Sequence, residues 1–244
     1  MGFLDEFSKK RWAKEGDDRP VPRSGIARYG FLLATHFWKL VAVNLLFVAF
    51  SLPVITLPAA LTALNRVCVK LVRDGNCLLW PEFRDEFRSS LGSGLLLGLP
   101  YGLLLVASYY LLSLGISNAA SAFGMLFFML GFCALLVCAV FGSWAFVLKS
   151  MLSLPKRDIQ KNARALAIIE IRRTLAVLGM EALTVFITLA LFPYSLVLLV
   201  LLIPALGQFT IVSLMNSRIQ ERIIAPFEAK QAAEIFKAAD EPES

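Results

Sequence analysis

Apolar and polar positions along the chain fall into long blocks rather than short periods. A first apolar run starts at His36, continues through Leu40, Leu45 and Phe50, and ends at Pro53. A second runs from Pro58 to Val72 and is interrupted by Asn65 and Arg66. At 1.5 Å per residue the second covers only about 22 Å, short for a hydrocarbon core of ~30 Å. Between them, Leu52-Pro53-Val54-Ile55-Thr56-Leu57-Pro58 marks a chain reversal, because proline cannot supply the amide of a continuing helix. No charged residue occurs between Leu91 and Leu148, and only Glu181 occurs between Leu175 and Ser217. Each of these stretches is about twice the ~20 residues of one crossing, so each reads as a pair of helices. The pattern predicts an all-α, polytopic transmembrane helical bundle of about six segments in three hairpins, the second segment short. Segments three to six lie near 94–114, 122–148, 174–192 and 196–215. An arm (1–35) precedes the transmembrane domain (36–218), and a tail (219–244) follows, helical but frayed past Pro226.

Two connections read as amphipathic helices, near 81–90 and 156–173. In the first, Pro81 suits an opening turn, and Phe83 and Phe87 share a face four residues apart. In the second, Ile159, Ala163, Leu166, Ala167 and Ile169 alternate with Lys161, Arg164, Arg172 and Arg173. Such helices lie at a membrane interface. Contact with anionic lipid, docking of a partner, and a plain basic loop beside the membrane all fit them.

Composition agrees with lipid as the solvent: 58% of the 244 residues are hydrophobic, 17% are charged, and mean hydropathy is +0.70. Charge placement then fixes sidedness. The stretch through Lys39 carries eight Lys or Arg, residues 66–90 carry five, 149–173 seven and the tail with Arg218 just before it four, which accounts for all 24. The three opposite turns, near 54–57, 115–121 and 192–195, carry none. The positive-inside rule therefore puts both termini in the cytoplasm. The net charge of +6 and pI near 9.3 follow from these loops facing anionic lipid, so no nucleic-acid partner is expected.

Candidate chemistry is sparse. Cys68, Cys77, Cys133 and Cys138 lack metal or redox spacing and read as thiols rather than disulfides. His36, the single histidine, reads as an interfacial residue at the start of the first span. No metal motif, nucleophile elbow or phosphate loop is present, so no enzyme, cofactor or metal is expected. The first 35 residues lack the early apolar core of a signal peptide, and Glu6 stands where a myristoylation motif needs Ser or Thr. Gly94, Gly98 and Gly102 repeat every four residues and predict a close helix–helix contact, and Pro100 predicts a kink. Asn44, Asn65, Arg66, Glu181 and Gln208 fall at similar depth near the inner side. The expectation is a polar cluster in which Arg66 pairs with Glu181, since an intramembrane charge usually finds a partner.

Residues 36–40 (His-Phe-Trp-Lys-Leu), Asn44-Leu45-Leu46, and Ser51 through Ala59 resemble the opening of the YesL-like family of bacterial integral membrane proteins. The similarity continues at Lys70-Leu71-Val72-Arg73-Asp74, at Phe83 and Phe87, at Lys161-Asn162-Ala163 and at Arg173-Thr174-Leu175. It spans about 31–218, most specifically in its first fifty residues, and the opening Met1-Gly2-Phe3-Leu4-Asp5 is similar to Gram-positive members. The family is a domain of unknown function, so it supplies no catalytic residues. It implies the bacterial plasma membrane and an accessory role in carbohydrate uptake, beside sugar-transporter permease subunits. Asn65-Arg66 departs from the milder residues expected there. A small transporter or channel using the polar cluster is the alternative. Oligomeric state is not readable from the chain.

Overall fold

The helices expected from hydropathy form, but several ends fall elsewhere, where backbone and charged groups find partners. The computed structural model describes residues 25–75, 77–152, 154–227 and 229. In chain order these form α1 (Gly25–Thr35), α2 (Phe37–Ser51), a 3₁₀ turn (Val54–Thr56), α3 (Leu57–Asp74), α4 (Leu79–Ser117) and α5 (Ala122–Met151). Then follow α6 (Lys156–Ile169), α7 (Ile171–Ala190), α8 (Ser195–Leu201), α9 (Ile203–Ile219) and a π turn (Gln220–Ile224). All regular structure among the described residues is helical. By length and composition, α4, α5, α7 and the stretch Val54–Asp74 can each cross a bilayer. Two bent pairs, α1 with α2 (70°) and α8 with α9 (57°), raise the number to six at most.

Three boundaries correct the expectations. The interface helix near 81–90 is not separate: it is the start of α4, a single helix of 39 residues and about 58 Å that runs on through Pro100. The serines at the junction bond within the helix instead of breaking it. Ser89 Oγ donates to the Glu86 carbonyl (3.0 Å) and Ser90 Oγ to the Glu86 carboxylate (2.8 Å). The second amphipathic helix ends at Ile169, so Arg172 and Arg173 belong to α7. Glu170 sits between the two helices at φ −100°, ψ 46°, its carboxylate facing Arg218 (3.5 Å) and Arg222 (3.4 Å). The end of the expected arm is α1, which is built into the core. Leu32 is buried, Tyr29 and Thr210 share a hydroxyl hydrogen bond (2.8 Å), and Arg28 Nη2 donates to the Val72 carbonyl (2.7 Å). The rest of the arm and most of the tail lie outside the described residues.

α3 is the central helix. It packs on α2, α4, α5 and α9, and Ala59, Ala63, Leu64, Val67, Cys68 and Leu71 are buried. The core around it gathers at the basic end: Leu40 and Val43 from α2, Phe83 from α4, Trp144 and Leu148 from α5, Phe209 and Met215 from α9. Toward the far end the packing thins to one seam between α4 and α5. There Gly115 lies against Phe128, Gly131 lies against Leu112, and Ser108 Oγ donates to the Gly131 carbonyl (2.7 Å).

The glycine repeat is partly used. A Cβ on Gly94 would meet the Ala59 backbone at 3.5 Å, and one on Gly98 would lie 2.6 Å from Pro58 Cβ. Gly102 has nothing within 4 Å and does not join this contact, because α3 begins at Leu57, opposite Gly98, and reaches no further. Replacing Gly98 by Val should therefore cost about 1–3 kcal/mol through overpacking. The same change at Gly102 should leave stability nearly unchanged. Thermal unfolding of the two variants in one detergent compares them directly.

Candidate functional site

A helix that breaks inside a membrane frees amides and carbonyls that no water can satisfy, so side chains must do so. The α8–α9 break is of this kind. Leu202 leaves helical geometry at φ −150°, ψ −37°, and Pro204, in the first turn of α9, has no amide to donate. Asn44 on α2, fully buried, bridges the break. Its Oδ1 accepts the Ala205 amide (2.8 Å), and its Nδ2 donates to the carbonyls of Leu199 (2.9 Å) and Val200 (2.7 Å). The side-chain amide thus holds the end of one half-helix and the start of the next.

Beside the break lies a cleft of ≈ 430 Å³ between α2, α3, α7 and α8–α9. Phe47, Leu61, Leu64 and Ile203 make it apolar, while Thr184, Thr188 and Gln208 supply its polar atoms. Both threonine hydroxyls donate to carbonyls of their own helix, Thr184 to Met180 and Thr188 to Thr184 (2.8 Å each). Gln208 is half-buried and hydrogen-bonds no described residue.

The expected Arg66–Glu181 pair does not form. Arg66 Nη1 donates to the Ser150 carbonyl (2.9 Å) in the last turn of α5, where a cation suits the free carbonyls and the negative end of the helix dipole. Glu181 accepts a hydrogen bond from Ser143 Oγ. Ser143 and Ser150 are two turns apart on one helix, about 10.5 Å, so the charges sit at different heights. Asn65 is 1% exposed, and neither side-chain amide atom has a partner. The five polar residues therefore do three different things. Asn44 holds a backbone break, Arg66 caps a helix, and Glu181, Gln208 and Asn65 retain hydrogen-bonding capacity.

Sequence reasoning missed the groups that complete this pattern. His36 is buried at the α1–α2 bend, where its Nε2 bonds the Gly75 carbonyl, rather than facing an interface. Arg173 donates to the Leu214 carbonyl, and Trp144 Nε1 donates to Thr174 Oγ1 (3.1 Å), which donates on to the Ala167 carbonyl (2.9 Å). No local motif marks these residues; only the concentration of Arg near helix ends hints at them. The cysteines are all free. Burial pushes the Cys77 thiol up to about 12, with Lys39 opposing the shift, so it stays protonated and slow to react at neutral pH. Among the described residues no group of three or more metal-binding side chains gathers.

Fold and site together define a multi-pass α-helical membrane protein in which an asparagine bridges a break in one of the helices. Residues 40–111 match the model of a family described as a protein of unknown function, DUF624. No curated protein and no solved structure matches the chain. The matched stretch contains Asn44, Asn65, Arg66 and the three glycines, and stops well short of Glu181 and Gln208.

Replacing Asn44 by Leu removes the bonds at the break and leaves buried backbone groups unpaired, each costing about 1–3 kcal/mol. The variant should lose several degrees or more of melting temperature in detergent. Asn65→Leu, which removes no hydrogen bond, should be neutral or stabilising in the same assay.

Proposed function

We propose that the chain is a non-enzymatic accessory protein of a bacterial plasma membrane, with both termini cytoplasmic, that seats against permease subunits of a sugar transporter. The observation that carries this reading is unequal packing. Between Gly98 on α4 and Cys138 on α5, the buried residues are Ser108, Gly115, Gly124 and Gly131, all small. Around that seam, Leu103, Val106, Tyr109, Phe123 and Met129 are exposed. A two-helix arm with a closely fitted seam gives a stiff apolar flank on which another subunit's helices can pack, and exposed Gly102 leaves a notch for close approach. The carbohydrate context rests on the resemblance to the YesL-like family.

A second reading, a small transporter or channel, draws on a separate observation. A broken helix beside a cleft that holds an unbonded Gln208, with Glu181 on a neighbouring helix, is the kind of arrangement that hosts substrate or ions. The two readings separate experimentally. On the accessory reading, affinity purification from native membranes recovers permease subunits, and Gly102→Phe lowers that recovery without lowering the melting temperature. Recovery of the chain alone, as a stable homo-oligomer, would count against it. On the transporter reading, reconstituted chain alone carries flux that Glu181→Gln abolishes while the fold is kept.

A further inference from the structure

We infer that the α2–α3 hairpin is re-entrant: it enters the bilayer from the basic side, turns within the near half, and leaves by that side, with Leu52, Val54 and Ile55 packed among lipid acyl chains. The hairpin's path does not depend on what the protein docks to or carries. Four observations lead to it.

The first is length between charges. α3 carries Arg66, Lys70, Arg73 and Asp74 in its last nine residues. From Leu57 to Asn65 the uncharged part rises about 13.5 Å, under half of a ~30 Å core. On α2, Lys39 to Ser51 rises about 18 Å. The stretch Val54–Asp74 is long enough to cross only if its charged end is counted.

The second is register. The start of α3 lies against Gly98, where Pro58 makes its close contact, and the end of α3 lies against the start of α4 through the Lys70–Glu82 ion pair. Gly98 is the midpoint of α4, and the remaining half of that helix rises about 28 Å past its contact with Pro58. Helices that differ this much in reach cannot end at the same membrane surface.

The third is the depth marker on α5. Arg66 donates to the Ser150 carbonyl, next to Lys149, so the middle of α3 is level with the basic rim and only the part beyond it can enter lipid.

The fourth is the chemistry of the turn. Leu52, Val54 and Ile55 are 78%, 79% and 72% exposed. A turn in water would carry polar side chains, as the α4–α5 turn does with Ser117, Asn118 and Ser121. In the α2–α3 turn the exposed positions are apolar instead, and its two polar side chains bond backbone carbonyls, as Ser117, Asn118 and Ser121 also do. Ser51 Oγ donates to the Val48 carbonyl (3.0 Å), and the single Thr56 hydroxyl proton is shared between the carbonyls of Phe50 (2.6 Å) and Pro53 (2.7 Å). Pro53 and Pro58 remove two amides that would otherwise need partners. This is how a turn meets the demand that backbone groups be satisfied without water.

The crossing elements are then α4, α5, α7 and the α8–α9 pair, four rather than six. Sidedness is unchanged, since a re-entrant hairpin and a spanning one return the chain to the same face.

Variants that each add one cysteine to the four native thiols, at Ile55, at Asn118 in the α4–α5 turn and at Arg84 at the basic end, test this in oriented membrane vesicles. A charged, membrane-impermeant maleimide is applied from each side, and wild-type labelling gives the baseline. Asn118→Cys should label from one side, Arg84→Cys from the other, and Ile55→Cys no more than wild type from either. A nitroxide attached to Ile55→Cys, with the four native cysteines replaced by alanine, should collide with oxygen and not with a water-soluble nickel chelate. Labelling of Ile55→Cys from the Asn118 side would show a spanning hairpin, and labelling from the Arg84 side would place the tip in water. Either result overturns the inference. Val54→Cys provides the same readout should Ile55→Cys fail to purify as a single species.

Discussion

The structure depends on one constraint: every polar backbone group held away from water must find its partner inside the chain. Continuous helices meet it automatically, and attention falls on the places where helices stop. Asn44 meets it at the α8–α9 break with one acceptor and two donor contacts. At the basic end arginines meet it at helix termini. Arg28 serves the end of α3, Arg66 the end of α5 and Arg173 the Leu214 carbonyl of α9. Guanidinium suits the task because it offers several donors in a fixed plane and complements the negative end of a helix dipole. The excess of Arg on this side thus has a structural cause beyond the choice of membrane orientation.

That division of labour explains which parts were legible in the sequence. Apolar length is written directly in the chain, so the helical class, the hairpins and the turns at 115–121 and 192–195 could be read. Distance from the flanking charges marks Asn44, Glu181 and Gln208 as polar groups within apolar runs, but it places them only coarsely, since Arg66 and Glu181 attach to α5 at Ser150 and Ser143. The direction in which a side chain leaves its helix depends on how the helices pack, and one sequence does not carry that. Arg66 and Glu181 were expected to meet because both lay in the inner half; they instead attach to different turns of α5. The break at Leu202 is equally silent. Pro204 hints at a helix start, but its neighbours are as apolar as any span, and the partner that makes the break tolerable lies far away in the chain.

Glycine spacing shows the same limit. Gly94, Gly98 and Gly102 are indistinguishable by pattern, yet Gly102 is idle because α3 is too short to reach it. Gly115 and Gly131 have no such spacing, yet they form the α4–α5 seam. A glycine matters where a second backbone passes, and the length of the passing helix decides that. The same short α3 also allows Leu52, Val54 and Ile55 to face lipid.

Counting which polar groups remain after the backbone is served sharpens the functional question. Asn44, Arg28, Arg66, Arg173, Thr56, Thr184 and Thr188 are all engaged with carbonyls or amides of the chain. A ligand would have to displace those contacts and leave buried groups unpaired, at about 1–3 kcal/mol each. Asn65, the Ser195 hydroxyl, Asn216 Oδ1, Gln208 and the second oxygen of Glu181 are among those left. Asn65 is sealed from solvent, Gln208 borders an apolar cleft whose lining includes neither Asn65 nor Glu181, and Glu181 is tied to α5 through Ser143. An apolar flank, by contrast, is continuous along the far half of α4 and α5. Polar atoms in this protein mainly hold its own backbone together, and the residues exposed along that flank, Leu103, Val106, Tyr109, Phe123 and Met129 among them, suit contact with apolar chains.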